Sequence, residues 1–255
     1  MANQGIDDDY IVFADANVEA ICAANWGKNG KLTYKQAAKV TSLGTVFRAN
    51  TTITSFDELQ YFTGLTELGV STNASADAIF YGCTALTSVV VPSTVTKLRG
   101  YCFYGCTNLT SIGSIQQITY IGTNAFYNCS KLQFVVDCPN LTYLGSSSLR
   151  QSGVTKITDL GSITAINNYT CSACTKLTEA HIPDTVASIG QSGFEVSNSS
   201  ATPMLTVYSY RDTPPSYGRS CFRAAKVSVV YVPSTSVSSY QSTWSALSSK
   251  IQAML

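Results

Sequence analysis

Apolar positions along this chain follow two spacings in turn. Phe80 through Val89 reads F-Y-G-C-T-A-L-T-S-V, Phe103 through Ile112 reads F-Y-G-C-T-N-L-T-S-I, and Phe126 through Val135 reads F-Y-N-C-S-K-L-Q-F-V. Phe80, Phe103 and Phe126 are 23 residues apart; the step is 23 again to Leu149, 22 to Cys171, 23 to Phe194 and 28 to Phe222. Within each unit the Phe, Cys and Leu slots are three apart, which lets them face inward from one helical turn. Alternation by two then takes over. Val89 and Val91 point in, Ser88 and Val90 point out, and Pro92, which has no N–H for a ladder, ends the strand.

A sustained period of this length is a solenoid signature, because one coil cannot bury its apolar side alone and neighbours must stack. The pattern predicts an α/β repeat solenoid, right-handed, with one short parallel strand and one helical turn per coil and helical caps at both ends. Phe103, Cys106, Leu109 and Ile112 are expected in the core. Ile112-Gly-Ser-Ile115 and Ile157-Thr-Asp-Leu160 shift the second apolar residue by one, and Val154 follows Gly153 directly, so an irregularity is expected in the Leu149 coil.

The ends read differently. Residues 1 to about 10 carry Asp7, Asp8 and Asp9 and are expected to be loose. Ala14 to Ala24 predicts a short amphipathic helix capped by Asp15, with Val18, Ile21 and Cys22 on one face, and a second short helix ends near Val40. Asn25 to Gln36 between them has the outline of a calcium loop, with Gly30 at its turn, but Asn25, Gly27, Asn29 and Gln36 stand where such a loop needs carboxylates, so no metal is expected. Thr41 to Asn50 reads as a link to a first, abbreviated coil from Ile53, and Val70 to Ala78 as a protruding loop. A Ser/Asn-rich loop spans Glu195 to Met204, Leu205 to Tyr210 is a strand, and Val227 to Val232 is the last strand. Val237, Tyr240, Trp244, Leu247 and Ile251 then form a helical stripe, read as a capping helix. The expected division is 1–45 as N-terminal helical cap, 46–233 as solenoid and 234–255 as C-terminal capping helix.

Composition narrows function more than fold. Sixteen Lys and Arg nearly balance fifteen Asp and Glu, and only 12% of residues are charged, so there is no electrostatic footprint for nucleic acid. No apolar run has the length of a membrane span, and the start has no basic, apolar signal segment. The nine Cys mostly fall in repeat slots: Cys83, Cys106, Cys129 and Cys174 share one, and Cys102 and Cys221 another. That register predicts free, buried thiols rather than disulfides. Cys171-Ser-Ala-Cys174 has redox or zinc spacing, but both residues occupy regular slots and no second pair lies nearby. The lone histidine, His181, faces outward beside Glu179, with no nucleophile-elbow motif in the chain. No enzyme activity and no cofactor are expected.

The unit F-Y-G-C-T-N-L-T-S-I with I-T-Y-I-G-x-x-A-F resembles the BspA-like, Treponema-type leucine-rich repeat, over roughly Ile53 to Pro233. The Thr213-Pro-Pro215 corner and the segment with Tyr240 and Trp244 are similar to the ends of gut-bacterial members. The resemblance implies bacterial surface proteins and adhesins that bind host proteins or other cells. The function expected is a non-enzymatic binding or adhesion module, monomeric, at the cell surface or secreted, recognising a protein or glycan through the solenoid. The alternative is an assembly component of a phage or secretion particle, suggested by the absent signal peptide. Two Tyr ladders, Tyr81, Tyr104 and Tyr127, and Tyr120 and Tyr143, are expected to pack over neighbouring coils. The expected binding surface is the outward row of the strands, Phe134, Val136, Lys156, Thr158, Glu179 and His181, with Phe134 and Val136 as an apolar anchor and Lys156 at the centre.

Overall fold

The computed structural model describes residues 9–69, 75, 78–196 and 203–255. The acidic start, most of the 70s insertion and most of the loop after Val196 lie outside the described residues.

The head is helical as expected. α1 (Ala16–Trp26) is capped by the Asp15 carboxylate, which accepts from the Asn17 and Val18 amides. The calcium-like stretch is a tight hairpin: Lys28 and Lys31 bridge each other across Asn29 and Gly30, both in the left-handed region at φ 54° and 74°. Gln36 at its far end completes a capping box with Thr33 that starts α2 (Tyr34–Ala37). The head is tied to the solenoid by two carboxylates. Asp15 Oδ2 accepts from the Thr54 amide at 2.5 Å and hydroxyl at 2.7 Å, and Glu58 Oε1 accepts from the Ala14 amide at 2.9 Å.

The repeats give two short strands per coil rather than one. In chain order these are β1 (Ser55–Phe56), β2 (Glu67–Leu68), β3 (Ser88–Val89), β4 (Lys97–Leu98), β5 (Tyr120–Ile121), β6 (Val135–Asp137), β7 (Tyr143–Leu144) and β8 (Lys156–Asp159). They continue as β9 (Ala165–Ile166), β10 (Glu179–Ile182), β11 (Ser188–Ile189), β12 (Leu205–Ser209), β13 (Ser216–Tyr217), β14 (Val227–Val232) and β15 (Ile251–Ala253). All pair in parallel. The widest sheet has the order β15-β14-β12-β10-β8-β6, and the second set forms the narrow sheets β2-β4-β5-β7 and β9-β11-β13.

The expected helical turn per coil is a chain of tight turns instead. Cys106 N donates to Phe103 O and Leu109 N to Cys106 O, while Phe103 N and Gly105 N donate outward to Ala125 O and Tyr127 O of the next coil. Tyr101 precedes this turn and Gly105 lies within it, at φ 59° and 72°, and residues in that region cannot extend a right-handed helix.

The core is a ladder of slots. Phe80, Phe103 and Phe126 are fully buried and stack at 5.3 and 5.5 Å. The ladder starts earlier than the sequence suggests. Phe47 lies 5.6 Å from Phe80, and Phe47-x-x-Asn50-x-x-Ile53-x-x-Phe56 is the same unit with three of its four slots substituted. All nine Cys are free and buried. Those in the shared slot have a common partner: Cys83, Cys106, Cys129 and Cys174 donate to the carbonyls of Phe47, Phe80, Phe103 and Leu149, one coil back, at 2.9–3.0 Å. A small side chain with a donor suits this position.

Two further expectations fail. Phe134 is an extra residue before β6, so the inward residue is Val136, fully buried, and the outward one is Val135, 44% exposed. A one-residue slip reverses every facing. Cys138 then follows Val136 after two residues rather than three, and the excess is absorbed by a register shift between β6 and β8, where the irregularity of the Leu149 coil appears. The C-terminal helix is also broken. α3 (Val237–Thr243) stops at Trp244, a 3-10 turn covers Ser245–Lys250, and Ile251–Ala253 becomes β15, paired with β14. Val227–Val232 is therefore not the last strand. Ser-rich sequence is a weak helix former, and the open edge of β14 offers backbone partners that a helix would not use.

Candidate binding surface

The outward side chains of the wide sheet form two rows. Glu179 stands opposite Lys156 and Thr206; His181 stands opposite Tyr208, Tyr208 opposite Tyr231, and Tyr231 opposite Gln252. Of the expected surface, Lys156, Thr158, Glu179 and His181 lie together here. Val136 does not, being in the core, and Phe134 is half-buried with its ring 5.7 Å from Phe126. The expected apolar anchor at this end is absent.

An anchor exists at the other end. His181 stacks on Tyr208 at 4.4 Å, and Tyr208 on Tyr231 at 5.1 Å. Tyr210, 42% exposed and just past β12, leans on His181 at 5.7 Å. Tyr208 and Tyr210 were legible as alternate positions of one strand, but their register relative to His181 depends on how the 28-residue interval closes. It closes with His181 opposite Tyr208 in unbroken register, and the next pairing, β12 with β14, shifts at Leu205 and Thr206 to bring Tyr208 opposite Tyr231.

A hydrogen-bonded chain runs through the rows. Lys156 Nζ donates to Glu179 Oε2 at 2.9 Å, Glu179 Oε1 lies 3.0 Å from His181 Nε2, and His181 Nδ1 lies 2.6 Å from the Tyr210 hydroxyl. A neutral imidazole satisfies both ends by donating from Nε2 and accepting at Nδ1. Lys156 and His181 hold the Glu179 carboxyl below its ordinary value. Burial, with Tyr208 and Glu179 nearby, pushes the Tyr210 phenol up. The chain fixes ring orientation.

Other candidates are structural. Cys171 is fully buried and its thiol is pushed well up by that burial. Among the described residues no group of three or more His, Cys, Asp or Glu stands together as for a metal ion, and no helix is long and apolar enough to cross a membrane. The Tyr81–Tyr104–Tyr127 ladder stacks at 4.8 Å per step and is closed by Arg48 over Tyr81 and Arg150 over Tyr127. Tyr120 and Tyr143 stack at 4.6 Å.

Two solved structures are similar to the chain. One is a leucine-rich repeat protein from Bacteroides ovatus ATCC 8483, 15% identical over 65% of this chain and 62% of that one, with a TM-score of 0.36. The other is a leucine rich cell surface protein from Faecalibacterium prausnitzii A2-165, 18% identical over 85% of this chain and 83% of that one, with a TM-score of 0.39. The match thus spans less than two thirds of the Bacteroides protein's length. No curated protein matches. The model of the BspA type leucine rich repeat region matches residues 71–178 and 164–252, in 6 copies. With most of its length so matched, the chain belongs to the BspA type leucine rich repeat family.

Proposed function

We propose that the chain is a non-enzymatic binding or adhesion module, acting as a monomer at a bacterial cell surface or after secretion. Its solenoid, 46–233, takes up a protein or glycan partner on the wide sheet, and the segments 1–45 and 234–255 close the two ends. The observation that carries this reading is the row His181–Tyr208–Tyr231 with Tyr210 beside it, partly open on six hydrogen-bonded strands. Tyr supplies contact area at low entropic cost, and a repeat array presents it on a rigid face. The site in this reading keeps Lys156, Thr158, Glu179 and His181, loses Phe134 and Val136, and gains Tyr208, Tyr210 and Tyr231.

The test is a binding array of extracellular-matrix proteins and glycans probed with the full chain. Any hit is re-measured with Tyr208→Ala and Tyr231→Ala, whose melting temperatures report folding. Weakened binding at unchanged melting temperature is expected. No interaction at tens of micromolar, or a hit indifferent to both variants, refutes this site.

A further inference from the structure

Tyr210 separates two concavities on this face. One, of about 330 Å³, is lined by Thr158, Asp159, His181, Asp184 and Tyr210 among others. The second, of about 400 Å³, is lined by Tyr208, Tyr210 and Tyr231 with Met254 and Leu255. The first offers two carboxylates and no Lys or Arg in its lining; the second offers three phenol rings. Asp159 uses Oδ1 for the Gly161 amide, at 2.7 Å. Arg211 points its guanidinium at the Asp184 carbonyl oxygen, at 2.9 Å, and Lys156 is engaged by Glu179.

The rest of the protein shows what its tyrosines pair with. Arg48 sits over Tyr81 at 4.9 Å, Arg99 over Tyr120 at 5.4 Å, Lys31 over Tyr10 at 5.0 Å, and Arg150 over Tyr127 and Tyr169 at 5.5 and 5.2 Å. None of these cations reaches Tyr208, Tyr210 or Tyr231. A ring face carries negative potential, and rings lining one cavity attract a cation, more strongly as it is desolvated. Carboxylates across a single ring reinforce that sign. An anionic ligand would meet Asp159 and Asp184 with no Lys or Arg in the lining to offset them.

We propose that this double pocket takes an organic cation: the guanidinium or ammonium group of an Arg or Lys side chain carried by a protein partner. The cation lies against Tyr210 and Tyr231, with the Asp159 and Asp184 carboxylates drawing it from the other side of the Tyr210 ring. This rests on the reading of the wide sheet as a partner-binding face and selects protein over glycan.

The experiment is a titration of the isotopically labelled full chain, followed by backbone amide shifts, with N-acetyl-arginine amide, its uncharged counterpart N-acetyl-citrulline amide, and maltose. Saturable shifts at Gly161 and Tyr210 are expected with the arginine compound, at millimolar affinity, and much weaker ones with citrulline. Tyr210→Leu is expected to weaken the arginine compound about threefold to thirtyfold. Asp184→Asn is expected to weaken it as well, with both variants keeping the native amide spectrum elsewhere. Equal shifts with arginine and citrulline, no shifts with either, or undiminished affinity in both variants overturns the proposal. Shifts with maltose alone overturn the cation while leaving the binding face standing. A silent array with a bound arginine compound would do the reverse.

Discussion

Phe103→Ala is the sharpest test of the stacked-slot core. The ring is fully buried in a central coil and is covered on both faces, by Phe80 at 5.3 Å and 9° and by Phe126 at 5.5 Å and 4°. Truncating a buried Phe to Ala costs about 3–5 kcal/mol, transfer and cavity together. Each parallel ring contact is worth about 0.5–1.5 kcal/mol beyond its area, and two are lost here, which places the expectation near the top of the range, about 4–5 kcal/mol. Relaxation is limited on this side, because the backbone on either side of the slot is held by bonds to the next coil. At about 2–4 °C per kcal/mol for a chain of this size, the melting temperature falls by roughly 8–20 °C. Urea unfolding followed by far-ultraviolet circular dichroism reads the loss directly. Because coils touch only their neighbours, a weakened central interface also lowers the slope of the transition by uncoupling the two halves. Phe222→Ala is the internal comparison: that ring is half-buried, stacks on Phe194 alone among the slots, and rests on Trp244, so its loss costs about half as much. A Phe103→Ala loss below about 1.5 kcal/mol, or one equal to that of Phe222→Ala, would refute the reasoning.

Other consequences are as direct. Native protein exposed to a thiol reagent at neutral pH should react at few Cys and unfolded protein at all nine, since burial pushes the Cys83 and Cys138 thiols up to about 12; early reaction of several would show open coils. Trp244 is buried and donates to the Pro215 carbonyl at 3.0 Å, so Trp244→Ala should cost about 3–5 kcal/mol in urea melts and loosen β15 from β14, seen as faster exchange of the Met254 amide, which donates to the Val232 carbonyl. Burial raises the Asp15 carboxyl, but bonds from Thr54, Asn17 and Val18 outweigh it and leave the folded value below the ordinary one. Its contribution is therefore present above the unfolded carboxylate value, about 3.9, and lost as pH falls through the lower folded value. The melting-temperature gap between the native protein and Asp15→Asn should close over that window, and a gap constant with pH would refute this.

The architecture was legible because it is written in slots. Phe, Cys and Leu at three-residue spacing, repeated every 23 residues, leave no other way to bury the apolar side, and Phe103, Cys106, Leu109 and Ile112 are buried as that spacing requires. Individual strand facings were less legible. Periodicity is a property of many residues, whereas one inserted residue, Phe134, is a local event whose compensation at Cys138 shows only when the coil closes. That is why Val136 was placed on the surface and lies in the core. The start at Phe47 escaped because its unit keeps only one slot residue, and the burial of Phe56 depends on a neighbour 24 residues away, Phe80. The C-terminal stripe fitted a helix equally well on its own. The unpaired edge of β14, which exists only once the coils have stacked, decided that Ile251–Ala253 would be a strand. The binding surface depends most on tertiary structure. His181, Tyr208 and Tyr231 belong to three strands joined across intervals of unequal length, with Tyr210 just past β12, and the register shift between β12 and β14 sets Tyr208 against Tyr231. Sequence alone determined that the chain would stack into a solenoid with its thiols inside; the closure of irregular coils decided which side chains share its open face.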